Sequence, residues 1–364
     1  MAEQTNIAWA DSTANLWIGC TKLSPGCDHC YAERDWDLRR HRVVWGPHGD
    51  RSPVAAGWKL IRKMQRRAEE NGGVDPDLGR TRRIFVNSLS DFFDNHGSVT
   101  WRQDAFSLFE ASRHLILMLV TKRPENVKKM VPAHWLNGQW PAHVWLLVSA
   151  EDQERADHRI PILLSIPGIA VRGVSIEPLL GPVDIVPYIG GRAIECGCGF
   201  RHDEHFLFGA TQDKEYCALC GKKTKTWPTL DLVIVGGESG PKARDCHISH
   251  IRGIVKQCTA AGGVPVFVKQ LGARPRGWCA ASAHIAPSEA AELDDDHCDF
   301  YEAHELGQPC PGRCAAMEDK KGGNMAEWPE DLRVREFPKA LADGLKGTGA
   351  TGLPRKSSSA DLTT

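Results

Sequence analysis

Seven short apolar runs, each closing on polar or charged residues, recur between residues 16 and 270 and constrain the fold more than any other feature. The first, 16–18, leads into Gly19-Cys20. The second, within 83–87, ends in Ser88-Leu89-Ser90-Asp91, and the third, 115–120, in Thr121-Lys122-Arg123-Pro124. The fourth, 144–148, ends in Ser149-Ala150-Glu151, and the fifth, 170–176, in Glu177-Pro178. The sixth, 230–235, ends in Gly236-Gly237-Glu238-Ser239-Gly240, and the seventh, 264–268, in Lys269-Gln270. Helical patterns fill much of the space between, at 33–42, 58–70, 101–113, 152–164 and 248–261. Runs rich in Val, Ile and Leu suit parallel strands covered on both faces. Strand–helix alternation predicts an α/β chain folded as a (β/α) barrel, partial or complete, with a flat doubly wound sheet as the alternative. In such barrels the carboxyl ends of the strands build the active site.

The stretch Trp17-Ile18-Gly19-Cys20-Thr21-Lys22-Leu23-Ser24-Pro25-Gly26-Cys27-Asp28-His29-Cys30-Tyr31 follows the first run and falls on that rim. Its cysteines are spaced C-x6-C-x2-C, with Ser24-Pro25-Gly26 as turn chemistry between them. Three clustered thiols suit a soft metal. A four-iron cluster with three cysteine ligands leaves one iron open to a ligand. A closed zinc site needs a fourth ligand, for which His29 is the nearest candidate. Unrelated free thiols are the third reading.

Together with Asn6-Ile7-Ala8-Trp9-Ala10-Asp11 and the continuation Ala32-Glu33, this stretch resembles a phage- and bacteria-associated three-cysteine-motif family of unassigned function. That family is placed near the radical S-adenosylmethionine (SAM) enzymes. The likeness covers residues 5–275, and WPEDLRVREFP at 328–338 also resembles the family's end. It implies a partial barrel of the radical SAM type and a [4Fe-4S] cluster on Cys20, Cys27 and Cys30 that cleaves bound SAM reductively. The usual radical SAM spacing is C-x3-C-x2-C, so this chain has three more residues between its first two cysteines and the same number of ligands. Where such enzymes carry a Gly-Gly-Glu type motif against the SAM ammonium group, this chain has Ser88, Ser90 and Asp91.

The strand ends supply the remaining site expectations. Ser88, Ser90, Asp91, Thr121, Lys122, Ser149, Glu151, Gly236 and Gly237 are read as cofactor-binding, and Glu177, Glu238 and Lys269 as catalytic. Buried charges need partners, so a ring of strand-end charges either pairs internally or meets a ligand.

Two segments break the alternation. Residues 193–228 carry Cys196-Gly197-Cys198 and Cys217-Ala218-Leu219-Cys220-Gly221, read as a small zinc knuckle in which His202 or His205 is an alternative ligand. Residues 273–340 form a Cys-rich extension in which Cys298, His304, Cys310 and Cys314 either bind a second zinc or take no part. The barrel is thus expected from 1–192 and 229–272, with a disordered tail at 341–364.

Lys and Arg number 45 against 46 Asp and Glu, so the whole chain does not attract polyanions and any nucleic-acid contact must be local. The basic pattern Lys59, Arg62, Lys63, Arg66, Arg67 is the local candidate, against the reading of a solvated helix face. No apolar run follows the polar residues 1–5 and none is long enough to cross a membrane, so a cytoplasmic location without membrane contact is expected. Thirteen cysteines in that setting favour metal over disulfides. The leading expectation is a radical SAM-like enzyme that modifies or repairs a substrate such as a nucleic acid or nucleotide, served by an electron donor and a partner protein. Its subclass would be a photoproduct-lyase-like repair enzyme. The alternative is a metal-stapled nucleic-acid-binding protein without radical chemistry.

Overall fold

The computed structural model describes residues 2–190, 194–195, 201–202, 225–226, 228–277 and 319–338. Strands β1 (Ser12–Ala14), β2 (Arg82–Val86), β3 (Leu115–Thr121), β4 (Val144–Ser149), β5 (Arg172–Ile176), β6 (Leu232–Gly236) and β7 (Val266–Gln270) make one sheet. They pair in chain order and every neighbour is parallel. β1 and β7 do not pair with each other, so the curled sheet is a half-barrel and the closed form of the expectation does not apply. Helices α1 (Ala55–Glu70), α2 (Val99–Ala111), α3 (Pro124–Met130), α4 (Gln153–Leu164) and α5 (Ile248–Ala260) lie between the strands in sequence.

Local chemistry sets these boundaries. Ser98 accepts a bond from Trp101 N and Asp152 one from Arg155 N, capping α2 and α4 at their first turns. Gly73, at φ +91°, donates to the Ala68 carbonyl at 2.7 Å and ends α1. Gly57, Leu60, Ile61, Met64 and Ala68 form the helical stripe that α1 buries. Gly57 is required there, since a Cβ would lie 2.1 Å from the Asn15 carbonyl.

The first strand departs from the expectation. Its place beside β2 is taken by Ser12–Ala14 rather than by residues 16–18. The Asn87 side chain causes the break: its Oδ1 accepts from Leu16 N at 2.8 Å, where a strand would offer backbone. Asn87 itself sits at φ +61° and ends β2. Trp17–Ile18 then turn aside and pair antiparallel with Ser52–Pro53. Leu16, Trp17 and Ile18 are all buried, so apolar character alone could not tell the two placements apart. The helix expected over 33–42 is shorter, one turn at Tyr31–Glu33 and a wider turn at Arg34–Leu38.

The sheet alternates cleanly. Ile84, Leu117, Leu119, Leu146, Val174 and Val235 face the helices in the main core. Ile116, Met118, Trp145, Leu147, Ile234 and Phe267 fill the concave side. Two aromatic residues from outside the strands plug its amino end. Trp9 lies tilted 4.6 Å from Phe85, and Phe337 lies 5.3 Å from Phe267 while the Arg83 guanidinium covers the Phe337 ring at 3.8 Å. Phe337 thus spans from β2 to β7 across the gap that a closed barrel would not have. The segment before it covers the edge of β7: Val268 N donates to Val334 O and Glu336 N to Val266 O. Trp328 and Leu332 of this segment are buried in the helix-side core.

Among the described residues no helix is long and apolar enough to cross a membrane. Cys196, Cys198, Cys217, Cys220, Cys298, His304, Cys310, Cys314 and the tail at 341–364 lie outside the described residues. Of the knuckle region, three two-residue strands, Ile194–Glu195, Arg201–His202 and Lys225–Thr226, pair antiparallel.

Candidate functional site

The cysteine stretch lies across the carboxyl rim, held by four strand ends. Ser24-Pro25-Gly26 winds one tight turn, Pro25–Cys27, with Cys27 N on the Ser24 carbonyl at 2.8 Å and Cys30 N on the Cys27 carbonyl at 3.3 Å. From the end of β2, the Ser88 carbonyl accepts from the Tyr31 hydroxyl at 2.6 Å. From the end of β3, Arg123 donates to the Thr21 carbonyl at 2.7 Å and stands 3.9 Å from the Cys20 sulfur. Beyond β4, Glu151 Oε1 accepts from Gly26 N at 3.1 Å. A Cβ at Gly26 would meet that carboxylate at 3.0 Å, so the turn and the strand end fit only with glycine or a shift of Glu151. Beyond β6, Glu238 meets His29 Nδ1 at 3.1 Å, and Arg244 donates to the Pro25 carbonyl at 3.0 Å.

These carboxylates are fixed by cations behind them. Glu151 is fully buried, with Arg159 at 2.9 Å. Burial would push its carboxyl up, but the charges of Lys122 and Arg159 outweigh it and hold the group below the usual range. Glu238 behaves alike: burial opposes its charge, while a two-pronged contact from Arg244, at 2.7 and 2.9 Å, and His29 lower it. Burial pushes the Cys20 thiol up to about 12, with the Asp91 carboxylate adding to it, and raises Cys30 as well. Any metal there must displace protons from these thiols.

Asp91, expected against an ammonium group, is spent on the frame. Its Oδ1 accepts from Thr121 Oγ1 at 2.7 Å and Phe93 N at 3.0 Å. Its Oδ2 accepts from Lys122 N at 2.9 Å and Arg123 Nη1 at 3.1 Å. Ser88 Oγ accepts from Asn15 Nδ2 and Ser90 donates to the Trp17 carbonyl, so both serines also tie down the N-terminal segment. Gly236 and Gly237 permit close approach, but of the chain itself: a Cβ on Gly237 would lie 2.4 Å from the Leu271 carbonyl.

Glu177 and Lys269 are different. Each follows an outward residue, Ile176 and Val268, so both side chains point to the concave mouth. They pair at 2.7 Å with 12% and 24% of their side chains exposed. Ser149 and Ser175 sit beside one another in the register on that face, and neither hydroxyl bonds to protein among the described residues. Among the described residues the mouth therefore offers one accessible ion pair and two unpaired hydroxyls above an apolar floor.

The structure thus gathers Ser88, Ser90, Asp91, Thr121, Lys122, Ser149, Glu151, Glu177, Gly236, Gly237, Glu238 and Lys269 at one rim with Cys20, Cys27 and Cys30. Among the described residues, no three His, Cys, Asp or Glu side chains stand close enough to hold a metal ion. The donor chemistry of three thiols on one rim loop fits a soft metal, although the thiols are not drawn into a shared coordination sphere. Sequence reasoning missed Arg123, Arg159 and Arg244. The signal available was the need of each buried strand-end carboxylate for a cation, and Arg159 and Arg244 lie 8 and 6 residues beyond Glu151 and Glu238.

A family model described as a protein of unknown function (DUF5131) matches residues 4–325. No curated protein and no solved structure matches the chain.

Proposed function

The chain belongs to the DUF5131 family, described as of unknown function, and we propose that it is a radical SAM-like iron–sulfur enzyme acting on a nucleotide or nucleic acid. One observation carries this reading: a three-cysteine loop lies across the carboxyl rim of a parallel half-barrel, beside a mouth with an accessible ion pair. Cys20, Cys27 and Cys30 are the residues that would hold a [4Fe-4S] cluster. When bound, such a cluster supplies one electron for reductive cleavage of SAM to methionine and a 5′-deoxyadenosyl radical.

The chain's own residues do the rest. Glu151, Glu238, Arg244 and Arg123 fix the loop. Glu177 and Lys269 meet the charged groups of SAM or substrate, exchanging their mutual pairing for the ligand's. Ser149 and Ser175 hydrogen-bond to whatever fills the mouth. Trp9 and Phe337 close the opposite end against water. Reductive cleavage of SAM requires an electron donor, which a partner protein can supply. Zinc at Cys196, Cys198, Cys217 and Cys220 remains a proposal from spacing, and changing Cys217 and Cys220 to Ala should remove zinc but not iron.

Anaerobic reconstitution is the test. The protein should take up about four irons with sulfide, and Cys20→Ala, Cys27→Ala or Cys30→Ala should abolish the brown chromophore. With dithionite and SAM, 5′-deoxyadenosine and methionine should appear. Zinc uptake without iron, or a loaded and reduced cluster that leaves SAM intact, would overturn the proposal in favour of a binding protein.

A further inference from the structure

We propose that the groove between α1 and α2 is a docking site for single-stranded nucleic acid. The groove is open, has a volume of about 860 Å³, and is walled by Trp58, Lys59 and Arg62 on α1 and by Trp101, Asp104 and Ser107 on α2. It stands apart from the iron–sulfur reading, since neither helix carries a cysteine.

Lys59 and Arg62 line one side, and Arg66 continues their row one turn beyond the lining. Of the five cations on α1, Lys63 pairs with Glu3 and Arg67 with Asp77. Lys59, Arg62 and Arg66 are exposed and have no ion-pair partner among the described residues. Their spacing of three and four places them along one helix face. Such a row suits a backbone of regularly spaced phosphates, in a chain whose overall charge of −1 gives no general attraction. Asp104 is the acidic group among the lining residues, and it lies on the opposite wall.

Aromatic rings decide the class of polyanion. Trp58 and Trp101 are half-buried, packed on the core at one edge and open to the groove at the other. The Trp58 indole N–H is anchored to the Leu16 carbonyl at 3.3 Å, and the Arg62 guanidinium lies 5.9 Å from its ring centre. Base stacking uses such fixed planes, whereas the carboxylates that make a peptide acidic bring no ring to lay on them. In a duplex the base faces are stacked on each other and out of reach of groove walls, so the occupant is a single strand. The upper end of the groove also points to the rim: Pro53 lines it and pairs with Trp17, three residues before Cys20. A strand lying there runs toward the mouth.

The test is fluorescence anisotropy of a fluorescein-labelled oligothymidylate with the full chain over a range of salt. The wild type should bind, and log Kd should rise linearly with log salt. Lys59→Gln, Arg62→Gln and Arg66→Gln should each lower that slope by about 0.7. Trp101→Ala should weaken binding about ten- to a hundredfold, the effect of losing one base stack. Trp101→Tyr, which keeps a ring, should restore most of it, separating stacking from misfolding, as should an unchanged thermal midpoint in the three exposed Gln variants. Absence of binding by the wild type, a duplex that competes equally well, or poly-glutamate displacing the strand while Trp101→Ala binds normally would each overturn the proposal.

Discussion

Asp91–Arg123 and Glu177–Lys269 are ion pairs at the ends of strands in the same sheet, yet they do different work. Asp91 and Arg123 meet at 3.1 Å, each 7% exposed, and Asp91 takes three more hydrogen bonds. Glu177 and Lys269 meet at 2.7 Å and remain accessible from the mouth. A strand-end charge in a barrel is therefore not in itself a ligand group. The number of internal donors it already serves decides whether any capacity is left, and by that measure Asp91, Glu151 and Glu238 form a sealed side of the comparison and Glu177 with Lys269 its open side.

The largest effect should come from breaking the sealed side. Arg123→Ala leaves Asp91 buried without its cation and should cost about 3–5 kcal/mol of stability in chemical denaturation. A loss below about 1 kcal/mol would remove the distinction between the two sides. Next, Arg244→Ala strips charged hydrogen bonds from Glu238 and from the Pro25 carbonyl, for about 1.5–3 kcal/mol. Because Arg244 also pins the cysteine loop, Cys27 and Cys30 should react faster with a disulfide reagent while the buried Cys258 does not. Equal acceleration at all three would indicate global loosening.

Acid provides a smaller, graded version. The Glu151 and Glu238 carboxyls are held below their ordinary values, so their stabilisation is complete above the unfolded pKa of about 4.3 and fades as pH falls through the folded value. The thermal midpoint of Glu151→Gln should fall less steeply below that pH than the wild type's. Parallel curves would mean that folding does not lower the Glu151 carboxyl at all. The smallest effect on stability, about 1 kcal/mol or less, belongs to Lys269→Ala. Its consequence should appear in SAM cleavage or ligand affinity instead, and a variant that unfolds would make Lys269 part of the frame too.

Much of the frame was legible in advance. Val- and Ile-rich runs marked six of the seven sheet strands, and polar residues after them marked the rim. The first strand was misplaced because Asn87, a residue with no apolar signature, ends the β1–β2 ladder with its side chain. The site was half legible. Residue type announced Glu151, Glu238 and Asp91, but whether each is spent or available depends on partners that the sequence does not align, such as Arg244 against Pro25, 219 positions away. Phe337 was equally hidden, since its role follows from the C-terminal segment returning to the edge of β7.

That return has a consequence for how the chain tolerates length change. Leu271 N bonds to the Gly322 carbonyl at 2.8 Å, and Leu230 N to the Tyr188 carbonyl at 2.9 Å. Each contact fixes two points far apart in the chain, 188 with 230 and 271 with 322, so the length between them can change without moving the ends. Lengthening a closed loop costs only about 0.6 kcal/mol per doubling. The two junctions sit at opposite poles: Tyr188–Leu230 precedes β6 at the plugged end, while Leu271–Gly322 follows β7 at the rim. A module grafted at the first would hang beneath the barrel, and one grafted at the second would stand over its opening.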